Sequence, residues 1–101
     1  MKSRELTMAR IYLLEGEVQL DKLLKRLHDW EKLRGLTVFR GITGFGSNGR
    51  IHSARLVDLS MELPIVVEFF DETDKVQLIL EHLEDEIKPG HAVWWPVRVN
   101  G

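Results

Sequence analysis

The 101-residue sequence contains no cysteine, so disulfide bridges and thiolate metal sites are excluded. No apolar run approaches the roughly 20 residues of a membrane-spanning helix. The charged N-terminus is not followed by the long apolar segment of a signal peptide. We therefore expect a cytoplasmic protein that does not insert into a membrane, and the length is that of a single domain, residues 1–101.

Acidic residues are absent from one long stretch. No Asp or Glu lies between Lys32 and Val57, although the chain as a whole has a formal net charge of −2. Five cations occupy this basic segment: Lys32, Arg34, Arg40, Arg50 and Arg55. General nucleic-acid binding usually involves a basic domain, which this chain lacks. The segment favours instead a local site for a small anionic ligand.

Three glycines interrupt the basic segment. The run Gly44-Phe45-Gly46-Ser47-Asn48-Gly49 fits the pattern G-x-G-x-x-G. A dinucleotide-binding loop of this pattern must open a helix, whereas residues 50–64 have no sustained helical periodicity. We therefore reject the Rossmann interpretation. The glycines either permit positive φ at the end of a strand or let the backbone approach an anion, and the sequence leaves both roles open.

Four segments rich in branched and aromatic residues predict strands: Met8–Leu14, Leu36–Thr43, Pro64–Phe70 and His91–Val99. Residues 1–7 are expected to be a flexible N-terminus. Two amphipathic helices are predicted between these strands, the second capped by Asp71 or Thr73. The first helix has the apolar stripe Leu20, Leu23, Leu24, Leu27 and Trp30. The second has the stripe Val76, Ile79, Leu80, Leu83 and Ile87.

The order β-α-β-β-α-β predicts an α+β, ferredoxin-like sandwich, in which a four-stranded antiparallel sheet carries two helices on one face. The other face is bare, yet strand residues of both parities are apolar. Val66 and Phe70 have the parity opposite to Val67, and Trp94 and Trp95 point to opposite faces. An exposed apolar face normally marks an interface, so we predict a homo-oligomer that buries it.

Several polar side chains have more than one interpretation. Arg50 and Arg55 are either solvated loop cations or contacts to a ligand or partner. Arg40 is expected to pair with Glu68 across the sheet. Trp94 and Trp95 are interpreted as packing residues rather than platforms for nucleic-acid bases.

Four histidines are present: His28, His52, His82 and His91. They are too few and too dispersed to predict a dedicated metal site. The sequence also places no nucleophile with a base and an orienting acid. We therefore expect neither a metal nor catalysis.

The chain resembles small PII-like proteins and, more closely, the DUF190 family. Four segments carry the resemblance: Arg40–Gly46, Ile51–Leu56, Leu63–Phe69 and Lys88–Val93. The resemblance implies a homotrimer that binds adenine nucleotides in clefts between subunits, with no other cofactor. It points to Gly44, Phe45 and Gly46 at the base of the loop, and to Gly90 before the last strand. His91 stands where these proteins usually have a phosphate-contacting lysine, and Arg98 resembles one of their arginines.

The resemblance is incomplete in the loop, because residues 47–61 are shorter than the PII signalling loop and contain no tyrosine, so uridylylation is not expected. The favoured hypothesis is a non-enzymatic regulator that senses a nucleotide and meets a partner protein through this loop. Arg50, His52 and Arg55 would contact that partner, for which the resemblance suggests a membrane transport protein. The alternatives are a constitutive trimeric interaction module without a ligand and, more remotely, a phosphate-ester hydrolase.

Overall fold

The computed structural model describes residues 1–14, 20–45, 51–53 and 63–101. Six strands lie in these ranges: β1 (Ser3–Leu14), β2 (Leu36–Arg40), β3 (Thr43–Phe45), β4 (Ile51–Ser53), β5 (Pro64–Asp71) and β6 (Ala92–Asn100). Helix α1 (Leu20–Lys25) continues into a π-helical turn (Arg26–Trp30), and helix α2 (Thr73–His82) is followed by a 3₁₀ turn (Glu84–Glu86).

Strands β2, β5, β1 and β6 form one antiparallel sheet in that order. The alternating direction of the strands and the two intervening helices confirm the predicted ferredoxin-like arrangement. Ala9, Ile11, Ile65, Val67 and Phe69 point from the central strands β1 and β5 into the core. Both helices pack on this one face, because the buried stripes of α1 and α2 meet the same residues.

Strand β1 is longer than predicted. Residues 1–7 were expected to be flexible, but Ser3–Thr7 continue the strand and pair with the end of β6, from Ser3 opposite Asn100 to Thr7 opposite Pro96. The sequence did not predict this extension, because Ser3, Arg4 and Glu5 are polar and lack the apolar pattern of a buried strand.

The sheet face opposite the helices, here called the open face, is apolar and exposed as predicted. Five large apolar side chains are more than a third exposed on it: Tyr12, Phe39, Phe70, Val93 and Trp95. The register also confirms that Trp94 and Trp95 point to opposite faces, since they lie opposite Ala9 and Met8, respectively. Homo-oligomerisation through this face remains a prediction.

The first helix departs from the predicted stripe at its end. Leu23 and Leu27 are buried, but Trp30 is 82% exposed. The cause is the π turn, in which the Glu31 N–H donates to the carbonyl oxygen of Arg26 at 3.1 Å. Five-residue spacing rotates the following side chains away from the stripe that a 3.6-residue period predicts.

The second helix follows its predicted stripe, with Val76, Ile79 and Leu83 buried. Its N-cap is Glu72, not Asp71 or Thr73, and no side chain caps that end. Asp71 contributes differently: its Oδ1 accepts the N–H of Glu72 at 2.8 Å. No helix in the described ranges is long and apolar enough to cross a membrane.

Candidate functional site

The glycine-rich end of β2 packs tightly against the start of β5. The Gly41 N–H donates to the Pro64 carbonyl oxygen at 2.7 Å. A Cβ at Gly41 would lie 2.7 Å from Pro64 Cγ, and one at Gly44 would lie 3.2 Å from the same atom. Glycine is therefore needed at position 41 for close approach, while its φ is not positive.

Beyond Gly41 the chain forms a short hairpin that the sequence did not predict. The predicted strand Leu36–Thr43 is interrupted after Arg40, and β3 pairs with β4 so that Gly44 lies opposite His52. The loop expected at residues 47–61 thus contains a strand, Ile51–Ser53. Ile42 and Phe45 are strongly exposed on this hairpin.

Some of the predicted site residues cannot be placed. Gly46, Arg50 and Arg55 lie outside the described residues, and for His52 only the backbone is described. Their proposed contacts with ligand or partner stay predictions.

The second part of the predicted site is the turn before β6. Gly90, which follows Pro89, has φ +80°, a backbone conformation that glycine adopts more readily than other residues. The His91 N–H donates to the Lys88 carbonyl oxygen at 3.1 Å, which closes the turn. The His91 carbonyl oxygen accepts the Tyr12 N–H at 2.8 Å and so ties the turn to β1. His91 Nδ1 lies 3.1 Å from the Pro89 carbonyl oxygen.

The hairpin and the turn emerge from the same end of the sheet. Gly41 is hydrogen-bonded to Pro64, which pairs with Leu14 at the end of β1. His91 is hydrogen-bonded to Tyr12, two residues before that end of β1. However, β2 and β6 are opposite edges of the sheet. Three strand spacings of ~4.8 Å separate them by about 14 Å. Gly44 and Phe45 are therefore not brought together with Gly90 and His91 within one chain.

Arg98 lies at the other end of β6. Its Nε and Nη2 donate to Ser3 Oγ at 3.2 and 2.7 Å. Seven residues of extended strand place Arg98 about 23 Å from His91. Within one chain, Arg98 does not join the other predicted ligand residues.

A groove beside the turn, here called the α2–β6 groove, was not predicted. It has a volume of about 520 Å³ and separates the outer side of α2 from β6. Its walls include the side chains of Leu80, Glu81, Glu84, Ile87, Lys88 and Trp94. The carboxylates of Glu81 and Glu84 make it acidic on the helix side. Sequence spacing alone could not reveal it, because α2 and β6 approach each other only in the folded chain.

A larger groove of about 880 Å³ lies between the π turn and the end of α2. Polar contacts cross it: His82 Nδ1 lies 2.7 Å from Glu31 Oε1, and Arg26 forms an ion pair with Glu86. Arg26 also donates to the His82 carbonyl oxygen at 2.9 Å, which caps the end of α2. These contacts hold the first helical segment against the end of α2, so we interpret the groove as part of the packing between the two helices.

An ion pair occupies the centre of the open face. Arg10 Nε donates to Glu68 Oε2 at 2.6 Å, and the Arg10 guanidinium lies 5.5 Å from the centre of the Trp95 ring. The hydrogen bond to Glu68 raises the pKa of Arg10. The predicted pairing of Glu68 with Arg40 was wrong in register, because Thr37 lies opposite Glu68 and Arg40 opposite Ile65.

Comparison with known sequences identifies the family. The sequence model of DUF190, described only as "Uncharacterized ACR", matches residues 7–99. The chain belongs to the DUF190 family. A UPF0166 protein of Aquifex aeolicus (strain VF5) is 39% identical over 70 residues, 69% of this chain and 66% of that relative, so the match spans just under two thirds of its length. A second UPF0166 protein of that organism is 30% identical over 92 residues, covering 91% of this chain and 94% of the relative.

Solved structures show the same fold for this DUF190 chain. CPII, a nitrogen regulatory PII-like protein from Thiomonas intermedia K12 bound to ADP, AMP and bicarbonate, has a TM-score of 0.74 at 18% identity and covers 99% of this chain and 92% of its own. A PII-like protein from Thermus thermophilus has a TM-score of 0.65 at 22% identity, with coverages of 99% and 94%. The DUF190 chain therefore has the PII-like version of the ferredoxin-like fold, which confirms the resemblance.

Proposed function

We propose that this DUF190 protein is a non-enzymatic, cytoplasmic regulator. It assembles as a homotrimer and binds a small anionic ligand, an adenine nucleotide, in the clefts between subunits. Ligand binding changes the conformation in which residues 47–61 contact a partner protein.

The separation of the two predicted half-sites carries this proposal. Gly44 and Phe45 leave one edge of the sheet, and Gly90 and His91 leave the other, at the same end. The two half-sites do not meet within one chain, because strands β5 and β1 lie between the two edges. A second copy placed against either edge would bring one half-site beside the other, so the site is complete only in an oligomer.

The open face supports assembly. Tyr12, Phe39, Phe70, Val93 and Trp95 expose large apolar side chains around the Arg10–Glu68 ion pair. A large apolar patch on a folded domain normally marks an interface, and burial of this face around a symmetry axis removes it from water.

The choice of an adenine nucleotide rests on chemistry and on the fold neighbour. The hairpin lies in the basic segment, and backbone N–H groups at glycines can approach phosphate closely. CPII, which shares this fold, has been observed with ADP and AMP. On the turn beside Gly90, Lys88 supplies positive charge and the His91 side chain supplies hydrogen-bonding capacity. Arg98 could contribute only from a different subunit.

The hairpin is the proposed contact with a partner protein. Ile42 and Phe45 are exposed apolar residues there, and Arg50, His52 and Arg55 follow in the sequence. Exposed apolar side chains in a segment that contains cations and no Asp or Glu suit a partner with an acidic, partly apolar surface. Membrane transport proteins are the first class to test.

Isothermal titration calorimetry with AMP, ADP, ATP, cyclic AMP, inorganic phosphate and bicarbonate tests the ligand, and light scattering tests the mass. We expect saturable binding of about one nucleotide per subunit and three times the 11.7 kDa subunit mass. A trimer that binds none of these compounds would favour the alternative, a constitutive interaction module. Release of phosphate from any nucleotide would contradict the non-enzymatic assignment.

A matched pair of variants tests the basic loop. Arg50→Glu is expected to abolish nucleotide binding and leave the trimer intact. Arg34→Glu makes the same charge change before β2, at the opposite end of that strand, and should bind nucleotide normally. Equal loss in both variants would mean that general charge, not the loop, determines affinity.

A further inference from the structure

The larger groove between the first helical segment and the end of α2, here called the helix groove, has room for a ligand. Its apolar base consists of Leu13, Leu23 and Ile87, which belong to or pack against the hydrophobic core. The contacts between the two helices do not fill it, because a volume of about 880 Å³ stays open. Pockets of ~300–1,000 Å³ are the usual size for small-molecule ligands. The groove therefore has the size of a binding site, on the helix side of the sheet.

Two polar contacts fix the spacing of the groove's two walls. Glu31 Oε1 on the first wall lies 2.7 Å from His82 Nδ1 on the second, and the Glu31 side chain is only 9% exposed. Arg26 on the first wall forms an ion pair with Glu86 on the second. Each of these carboxylates thus already has a partner on the opposite wall. They set the width of the groove and leave its other charged groups to meet a ligand.

Two lysines of the first wall are such groups. Lys22 and Lys25 line the groove one helical turn apart on α1, and both are exposed. Within the described ranges of the chain, neither lysine forms an ion pair. Together with Arg26 they give the groove three cations against two carboxylates, an excess of one positive charge before His82 is counted. This balance favours a ligand that has a single negative charge.

The indole of Trp30 adds a large apolar surface to the same wall. Trp30 lines the groove, yet 82% of it is exposed to water. Aromatic side chains contribute a large apolar contact area and favour stacked or edge-to-face contacts with other rings. An indole on the same wall as Lys22 and Lys25 therefore suits a molecule with an aromatic body and an anionic group.

The backbone after the π turn is held in an unusual conformation that keeps Trp30 exposed. Lys32 has φ +57°, which is uncommon for a residue other than glycine. Its carbonyl oxygen accepts a hydrogen bond from Lys75 Nζ at 2.7 Å, and that ammonium group lies 3.2 Å from the buried Asp71 Oδ2. Such conformations persist only where the surroundings fix them, and both they and π turns are frequent at functional sites. The wall that carries Trp30 is therefore preformed.

We propose that the helix groove binds a small aromatic monocarboxylate. The carboxylate contacts the ammonium groups of Lys22 and Lys25, and the aromatic body packs on Trp30 and the apolar base. Adenine nucleotides carry more negative charge, which Glu31 and Glu86 disfavour in this groove. The site is separate from the nucleotide site of the proposed function and depends neither on it nor on assembly.

Binding of 2-naphthoate tests this site, because the compound combines a fused aromatic ring with one carboxylate. The chain has three tryptophans, so its ¹H–¹⁵N NMR spectrum should contain three indole N–H signals. The loss of one signal in Trp30→Phe identifies that of Trp30. We expect 2-naphthoate to shift the Trp30 signal saturably and to leave those of Trp94 and Trp95 in place. No saturable shift up to the solubility limit of the compound would overturn the proposal. Shifts at Trp94 or Trp95 instead would place binding in the α2–β6 groove or on the open face and would also overturn it.

Two control compounds separate the contribution of charge from that of apolar contact. 2-Naphthalenemethanol keeps the ring without the negative charge, and acetate keeps the carboxylate without the ring. Each should bind at least about tenfold more weakly than 2-naphthoate, the factor expected when a charge-assisted or a large apolar contact is lost. Equal affinity for the alcohol would overturn the role of the lysines. Tighter binding of AMP at the Trp30 signal would overturn the choice of a monocarboxylate.

Matched variants test the residues by calorimetry with 2-naphthoate. Lys22→Gln with Lys25→Gln should weaken binding by about tenfold or more. Lys2→Gln with Arg34→Gln removes two positive charges outside the groove and should bind normally. Trp30→Ala should abolish binding, while its far-ultraviolet circular dichroism shows the fold retained. Equal weakening in the two double variants would mean that net charge sets the affinity, and normal binding by Trp30→Ala would mean that the indole is not a contact. Either result would overturn the proposal.

Discussion

Gly41 shows how a single residue positions the hairpin at the proposed site. Its N–H bonds to Pro64, and its missing Cβ leaves room for the proline ring. The chain can then turn away from β5 and begin β3 two residues later. Gly44 has the same neighbour at a less restrictive distance.

We predict that Gly41→Ala destabilises the protein by about 1–3 kcal/mol, the usual cost of inserting a methyl group into a packed site. The new Cβ would approach Pro64 Cγ to 2.7 Å, so the hairpin or β5 must shift. Urea unfolding measures the change. Gly35→Ala is the control, since a Cβ there meets nothing within 4 Å. Equal unfolding midpoints for both variants would contradict the packing argument.

The sequence pattern predicted that the glycines of this segment have a structural or ligand-binding role, but it did not predict the role of each one. The requirement at Gly41 comes from Pro64, which is distant in the sequence and becomes a neighbour through strand pairing. The same limit explains the wrong partner for Glu68. Its true partner, Arg10, is identified only when the register between β1 and β5 is known.

The first helical segment shows how a change of helix type alters a predicted face. The apolar stripe was predicted correctly at Leu23 in the α-helical part and at Leu27 near the start of the π turn. The π turn then exposes Trp30, which a 3.6-residue period places on the buried side. In α2 and the turn after it, where the helix stays regular through His82, Val76, Ile79 and Leu83 are buried and Leu80 and Ile87 pack against the core, as predicted.

We predict that Leu27→Ala lowers the free energy of unfolding by about 2–5 kcal/mol, as expected for a fully buried leucine. Trp30→Ala removes a larger side chain that is mostly in water and should change stability by no more than about 0.5 kcal/mol. Thermal or urea unfolding of the two variants compares them directly. A larger loss for Trp30→Ala would mean that the tryptophan is packed in solution, contrary to this π-turn geometry.

Short and polar strands were the elements that sequence could not predict. The Ser3–Glu5 extension has no apolar alternation, and β3 and β4 have three residues each. Both are strands because of their partners: β6 for the extension and each other for the hairpin. Pairing partners are a tertiary property, so local propensity gives little signal for them.

For the whole molecule, the order of elements was enough to predict the fold, whereas the ligand site was predicted only through family resemblance. The ferredoxin-like arrangement follows from two helices placed between strands that alternate in direction. The site residues group differently: Gly44 and His91 share an end of the sheet, and Arg98 lies at the other end. Topology therefore separates the predicted site residues within one chain, which sequence spacing alone could not show.

The open face leads to a prediction about the assembled molecule. Trp95→Glu places a carboxylate on this face, where burial in a trimer would require removing its charge from water at high cost. We expect the mass by light scattering to fall toward the 11.7 kDa subunit, while far-ultraviolet circular dichroism shows the fold retained. Trp30→Glu makes the same substitution on the π turn, at a tryptophan that is 82% exposed against 36% for Trp95, and should leave the trimer intact.

The comparison of these two tryptophans separates assembly from general surface effects. Both variants add one negative charge and remove one indole, so net charge and composition change equally. If Trp95→Glu remains trimeric, the open face is not buried in the assembly, and the subunits must meet through other surfaces. If both variants dissociate, the π turn belongs to the interface as well. Dissociation of Trp95→Glu alone supports a trimer with the open faces directed toward its axis.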